Sequence, residues 1–222
     1  MRSLHELINV DDPGWSFVSA WIDSSTHKVE VLPRDSASAE LALIQLQVTT
    51  RSPMGAVVYE TGGILIDGGW IRILGSGHKK LNRTLPGWNK KSGAVGFILI
   101  ADDAIGGFFA LNGGALGEDL GKVYYFAPDN LEYEPLNWTY TDFLIFCFSG
   151  DHDTFYDGLR WFNWQSDASV LSGDDVFNFY PTLWSKENKG IEHLSRKAVP
   201  IAEQYFLNLD FRKQLIQNPN SR

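Results

Sequence analysis

Cysteine occurs once in this chain, at Cys147, so no internal disulfide can form. A lone thiol inside the apolar run FLIFCF is expected to be buried and inert, and one cysteine suits a reducing compartment. Cationic side chains are also scarce: 19 Lys and Arg stand against 27 Asp and Glu, a net charge of −8. That balance argues against nucleic acid, whose phosphates are held by clustered Lys and Arg. No apolar run approaches the roughly 20 residues of a membrane span. The opening stretch MRSLHELINVDDPGW has no apolar leader core. The expected setting is therefore the cytoplasm, without a membrane partner.

Motifs of catalysis are missing too. The loop LGSGHKK follows an apolar run but has neither the Walker pattern nor a Rossmann G-x-G-x-x-G, and hairpin turns account for its glycines. No G-x-S-x-G marks a nucleophile elbow, and Ser76 in GSGH is a weak substitute. Asp151-His152-Asp153, with Asp157 nearby and Asp102, Asp103, Asp174 and Asp175 farther off, has the chemistry of a metal site. It lacks the second spaced histidine of a strong signature. The preferred reading is a turn whose Asp151 or Asp153 caps the next helix. No catalytic residue, metal or cofactor is assigned.

What the chain does have is aromatic side chains, 14% of its residues with 8 Trp, which fill a large core or line a recognition surface. Two apolar faces come first. Trp15, Val18 and Ile22 share one side of a helix capped by Asp11 or Asp12. Ala39, Ala42, Leu43 and Leu46 share one side of a helix capped by Asp35. Between them HKVEVLP alternates like a half-exposed strand. Ser52-Pro53 read as the N-cap and first residue of a further helix, with Gly62 closing it at a positive φ. ILID and WIRILG form a hairpin across Gly68-Gly69, FILIA and GFFALN a second across Asp102-Asp103 and Gly106-Gly107, and VYYFA and LEYEPLN a third. Thr139 or Thr141 caps an apolar helix that should be buried. GSGHKKLNRTLPGWNKKSG reads as a polar loop and SGDDVFNFYPTLWSKENKG as irregular. VPIAEQYFLNLDFRKQLI reads as a last helix opened by Pro200, with Ile201, Ala202, Tyr205, Phe206 and Leu209 buried. The expectation is one α+β domain over residues 1–222, a twisted antiparallel sheet packed with helices, its core at about 52–148.

The order SP-helix-GG, ILIDGGWIRILG, IADDAIGGFFALN, GKVYYFAPDN and WTYTDFLIF resembles the SUKH superfamily over Ser52 to Phe148. The matching positions are Gly62-Gly63, Gly106-Gly107 with Phe108-Phe109, and Phe143-Leu144. Where that family shows Leu-Pro before its first core helix, this chain has Ser52-Pro53. The chain as a whole, LQVTTRSPMGAVVYETGGILIDGGWIRILGSG above all, is similar to a bacterial family of unknown function. The SUKH resemblance implies a non-catalytic protein that binds and neutralises a toxin.

The resulting expectation is a bacterial binding protein with a basic protein partner, steered by the acidic field. Turns project side chains outward, so Asp102, Asp103, Asp151, His152 and Asp153 are the expected charged contacts, with Tyr156 and Trp161 as aromatic anchors. The alternative is a carbohydrate-active or other hydrolytic enzyme that uses clustered aspartates beside exposed tryptophans.

Overall fold

The computed structural model describes residues 1–217. The N-terminal third is mainly helical: α1 (Leu4–Leu7), α2 (Trp15–Asp23), strand β1 (Val29–Pro33), α3 (Ser36–Leu46) and α4 (Pro53–Glu60). Local chemistry sets several of these boundaries. The Asp35 carboxylate accepts the Ser38 N–H to open α3, and the Ser52 hydroxyl accepts the Gly55 N–H to open α4. Neither Asp11 nor Asp12 caps α2. Gly14 holds that place, because its amide bonds the Thr50 carbonyl so closely to Arg51 that a Cβ would lie 2.7 Å from the Arg51 oxygen.

Strands β2 (Thr61–Ile66), β3 (Ile71–Leu74), β4 (Phe97–Asp103), β5 (Phe108–Asn112), β6 (Val123–Phe126) and β7 (Tyr133–Trp138) follow β1 in one antiparallel sheet, in chain order. The helix before Gly62 forms as expected, but Gly62 is not its left-handed cap. Thr61 ends α4 in an extended conformation, and Gly62 lies in β2 against the Pro33 and Gly77 carbonyls. The loop between β2 and β3 spans Asp67 to Trp70, with Gly68, Gly69 and Asp67 all at positive φ. Two segments depart from expectation. The polar loop after β3 contains α5 (Leu85–Ser92), opened by Thr84 and closed by Gly93 at φ 69°. The irregular tail contains β8 (Asp175–Tyr180), which pairs with β9 (Ser195–Pro200), so Pro200 ends a strand and α9 (Ile201–Gln217) starts after it. In α9 Phe206 is exposed, while Gln204 and Asn208 turn inward.

Antiparallel sheets often leave one face in water. Here β2, β3 and β6 are buried at every position, so both faces are covered. Neighbouring residues on a strand point to opposite faces. Phe108 meets Trp88 of α5 and Tyr205 of α9, whereas Phe109 meets Phe143 of α6 (Tyr140–Ser149) and Phe155 of α7 (His152–Phe155). One buried apolar cluster extends from Val18 to Leu215. Among the described residues no helix is long and apolar enough to cross a membrane.

Cys147 lies in α6 with no exposed surface, and burial pushes its thiol well above the ordinary value. It is therefore expected to react with a thiol reagent only in denaturant; rapid labelling of the native protein, followed by mass spectrometry, would contradict this.

Candidate functional site

The expected charged turn at Asp102-Asp103 is not a turn. Strand β4 continues through both residues, with Asp102 opposite Arg72 and Phe108, and Asp103 opposite Ile71. Both carboxylates are fully buried, so the expectation that they project outward is corrected. On one face Asp102 accepts the Arg72 Nε–H at 2.6 Å and the Arg83 Nη1–H at 2.5 Å. Arg83 also donates to Asp174 at 3.1 Å, and Arg72 donates to the main-chain oxygens of Asp103 and Asp175. Two guanidiniums thus meet two carboxylates, with Arg72 and Asp102 fully buried and Asp174 at the partly exposed end.

On the other face Asp103 accepts from the Tyr125 hydroxyl at 2.7 Å, the Tyr156 hydroxyl at 3.2 Å and the amides of Ile105 and Gly107. Burial pushes its carboxyl above the ordinary value against these bonds, and burial together with Asp103 pushes both tyrosines well up. Every one of these polar atoms is engaged inside the protein, which gives them a structural rather than a surface role.

The Asp151-His152-Asp153 turn divides. Asp151 accepts the Thr154 N–H and caps α7, as the sequence suggests, and remains exposed. Asp153 is exposed and pairs with Arg160 at 2.9 Å. His152 points inward, where its ring stacks on His27 with centroids 3.7 Å apart and planes 11° apart. Asp67 Oδ2 lies 3.2 Å from His27 Nδ1 and 3.3 Å from His152 Nδ1. The second histidine that the sequence fails to show beside His152 is thus 125 positions away.

Tyr156 and Trp161 are buried, at 1% and 2% exposure, and form the floor of an open concavity. Its rim includes Asp153, Asp157, Phe162 and Glu192, beside α8 (Trp164–Val170). The Phe162 ring is 90% exposed, and the Phe162 amide donates to Glu192 at 2.7 Å. The Arg160 guanidinium stacks on Trp164 at 4.0 Å and lies near Tyr156 and Trp70. Exposure of a single Phe in WFNWQSD has no sequence signature, so only the fold singles out Phe162.

Replacing Asp102 by Ala is expected to destabilise the fold by about 3–5 kcal/mol, because the buried Arg72 and the largely covered Arg83 each lose a partner. Asp12→Ala, which removes a pair exposed on both sides, should shift the urea midpoint far less, and equal midpoints for the two variants would contradict the assignment. Burial pushes the Asp174 carboxyl up, but the Asn82 amide and Arg83 outweigh it and hold it below the ordinary 3.8. It therefore binds its proton less tightly folded than unfolded. The stability it contributes is complete above about 3.8 and is lost as pH falls through the lower folded value. The acid limb of a stability–pH curve should be shallower in Asp174→Asn than in the natural protein.

The family model for "Protein of unknown function DUF2625" matches residues 4–204. The chain is 44% identical over 219 residues to the "Putative uncharacterized protein YbfG" of Escherichia coli (strain K12), covering 98% of this chain and 100% of that one. It is 45% identical over 214 residues to an "Uncharacterized protein" of Haemophilus influenzae Rd, covering 94% of each. A match over nearly the whole length, with two bacterial relatives of the same size, means that this chain belongs to the DUF2625 family.

Proposed function

We propose that this chain is a non-catalytic binding protein that receives a basic segment of a protein partner in the concavity beside α7 and α8. The observation that carries this reading is the exposed Phe162 ring set among the carboxylates of Asp153, Asp157 and Glu192. An exposed aromatic anchor within a charged rim has the composition of an interaction hot spot. Three carboxylates face one guanidinium there, and the Arg160 charge is already paired with Asp153. The overall charge of −8 supports steering of a cationic partner. The engagement of Asp102 and Asp103 in buried bonds favours binding over hydrolysis by clustered aspartates. An immunity protein of SUKH type, holding a cationic toxin domain, is the specific form that the sequence resemblance suggests.

A Lys- and Arg-rich peptide, with a Glu-rich peptide as control, tests the site by calorimetry and stopped-flow. The basic peptide should bind saturably, with an on-rate that falls as salt rises. Phe162→Ala combined with Asp157→Lys should weaken it at least tenfold. Binding that is absent, or equal in the double variant, would overturn the proposal.

A further inference from the structure

We propose that His27, Asp67 and His152 bind a divalent transition-metal ion, with Zn²⁺ the best match. The three residues come from three distant parts of the chain, and one potential ligand atom from each lies within 4.8 Å of the other two. His27 precedes β1, Asp67 stands in the β2–β3 loop, and His152 opens α7. The loop fixes its aspartate in an unusual backbone conformation, φ 48°, and Asp67 Oδ1 accepts the Lys28 amide. The other oxygen, Oδ2, is turned toward the two rings.

The ring nitrogens have distinct roles. His27 Nε2 lies 2.8 Å from the Gly150 carbonyl and His152 Nε2 lies 3.0 Å from the Phe146 carbonyl. A carbonyl oxygen only accepts, so each ring carries a proton on Nε2. In the neutral rings both Nδ1 lone pairs then face the Asp67 oxygen, and three electron-rich atoms converge without a donor. One shared proton satisfies only one of the two N···O contacts, and a second would stack two cations 3.7 Å apart. A metal ion bonds all three atoms at once. The carbonyl-anchored Nε2–H is also the outer-shell bond that orients most metal-binding histidines.

The spacing fits the ion. Ligands bonded to zinc at about 2.0–2.1 Å in tetrahedral array stand roughly 3.3–3.4 Å apart. The two N···O separations are 3.2 and 3.3 Å. Two imidazoles and one carboxylate favour zinc or cobalt over calcium or magnesium, which prefer all-oxygen sites. A ligated metal lies near the plane of each ring, so binding must tilt the stacked rings apart. His27 has room to do so, with 19% of its side chain exposed against 1% for His152. Asp67 also lines an open cavity of about 160 Å³ with Lys28, Gly68, Gln165 and Ser169, so the aspartate of the set borders solvent-accessible space.

Co²⁺ titration of tag-free protein tests the proposal through visible d–d absorption, thermal shift and histidine NMR. One equivalent should bind with a tetrahedral spectrum and raise the melting temperature. Asp67→Asn and His27→Gln should each weaken binding tenfold or more, while His78→Gln and His193→Gln should not. In the natural protein the His27 and His152 resonances should shift or broaden before those of His5, His78 and His193. This last readout needs no variant to fold. No saturable binding, affinity unchanged in both Asp67→Asn and His27→Gln, or first effects at the other histidines would each overturn the site.

Discussion

The buried contact between Arg72 and Asp102 is the constraint on which the rest of the molecule depends. It spans the β3–β4 pair at the centre of the seven-stranded sheet. Through Arg83 it reaches the start of α5 and Asp174, and through the second Arg72 bond it reaches β8. On the opposite face Asp103 anchors Tyr125 and Tyr156. Two adjacent aspartates therefore fix one layer on each side of the sheet, because successive side chains on a strand alternate. Such a network costs desolvation energy and is tolerable only when every charge finds a partner. Each of these charged groups has one.

That arrangement changes the meaning of the C-terminal third. It packs directly against the sheet. Trp88 and Tyr205 enclose Phe108, and Phe143 and Phe155 enclose Phe109, so α7 and α9 of the C-terminal third help to close both faces of the sheet. The high aromatic content is largely used inside. Phe162 departs from this pattern as a large ring placed in solvent beside carboxylates, and the binding reading rests on that departure.

The two proposed sites are neighbours in sequence but differ in kind. His152 turns into the protein toward Asp67 and His27, whereas Asp153 turns out toward the rim of the concavity. One short helix, capped by Asp151, sets both directions. The turn reading of Asp151 is compatible with a metal-ligand role for the residue beside it, since the cap uses the aspartate and leaves the imidazole free to point elsewhere.

The sequence by itself determined the features that depend on near neighbours. Asp35, Ser52, Thr139 and Asp151 cap helices through bonds three residues long, and the apolar run around Cys147 folds into a buried helix. The hairpins and the α+β class follow from alternation and glycine turns. Thr84 and Gly93 carried a similar local signal for α5, masked by Pro86-Gly87 and by the lysines between them. Only the tertiary structure decided that Asp102 and Asp103 are buried, that Asp175–Tyr180 is a strand, and that His27 meets His152. Each of those outcomes requires a partner tens of residues distant: Arg72 for Asp102, Ser195–Pro200 for β8, and a histidine 125 positions away. Local composition carries no record of such partners, because burial, strand pairing and ligand convergence are created when remote segments pack together.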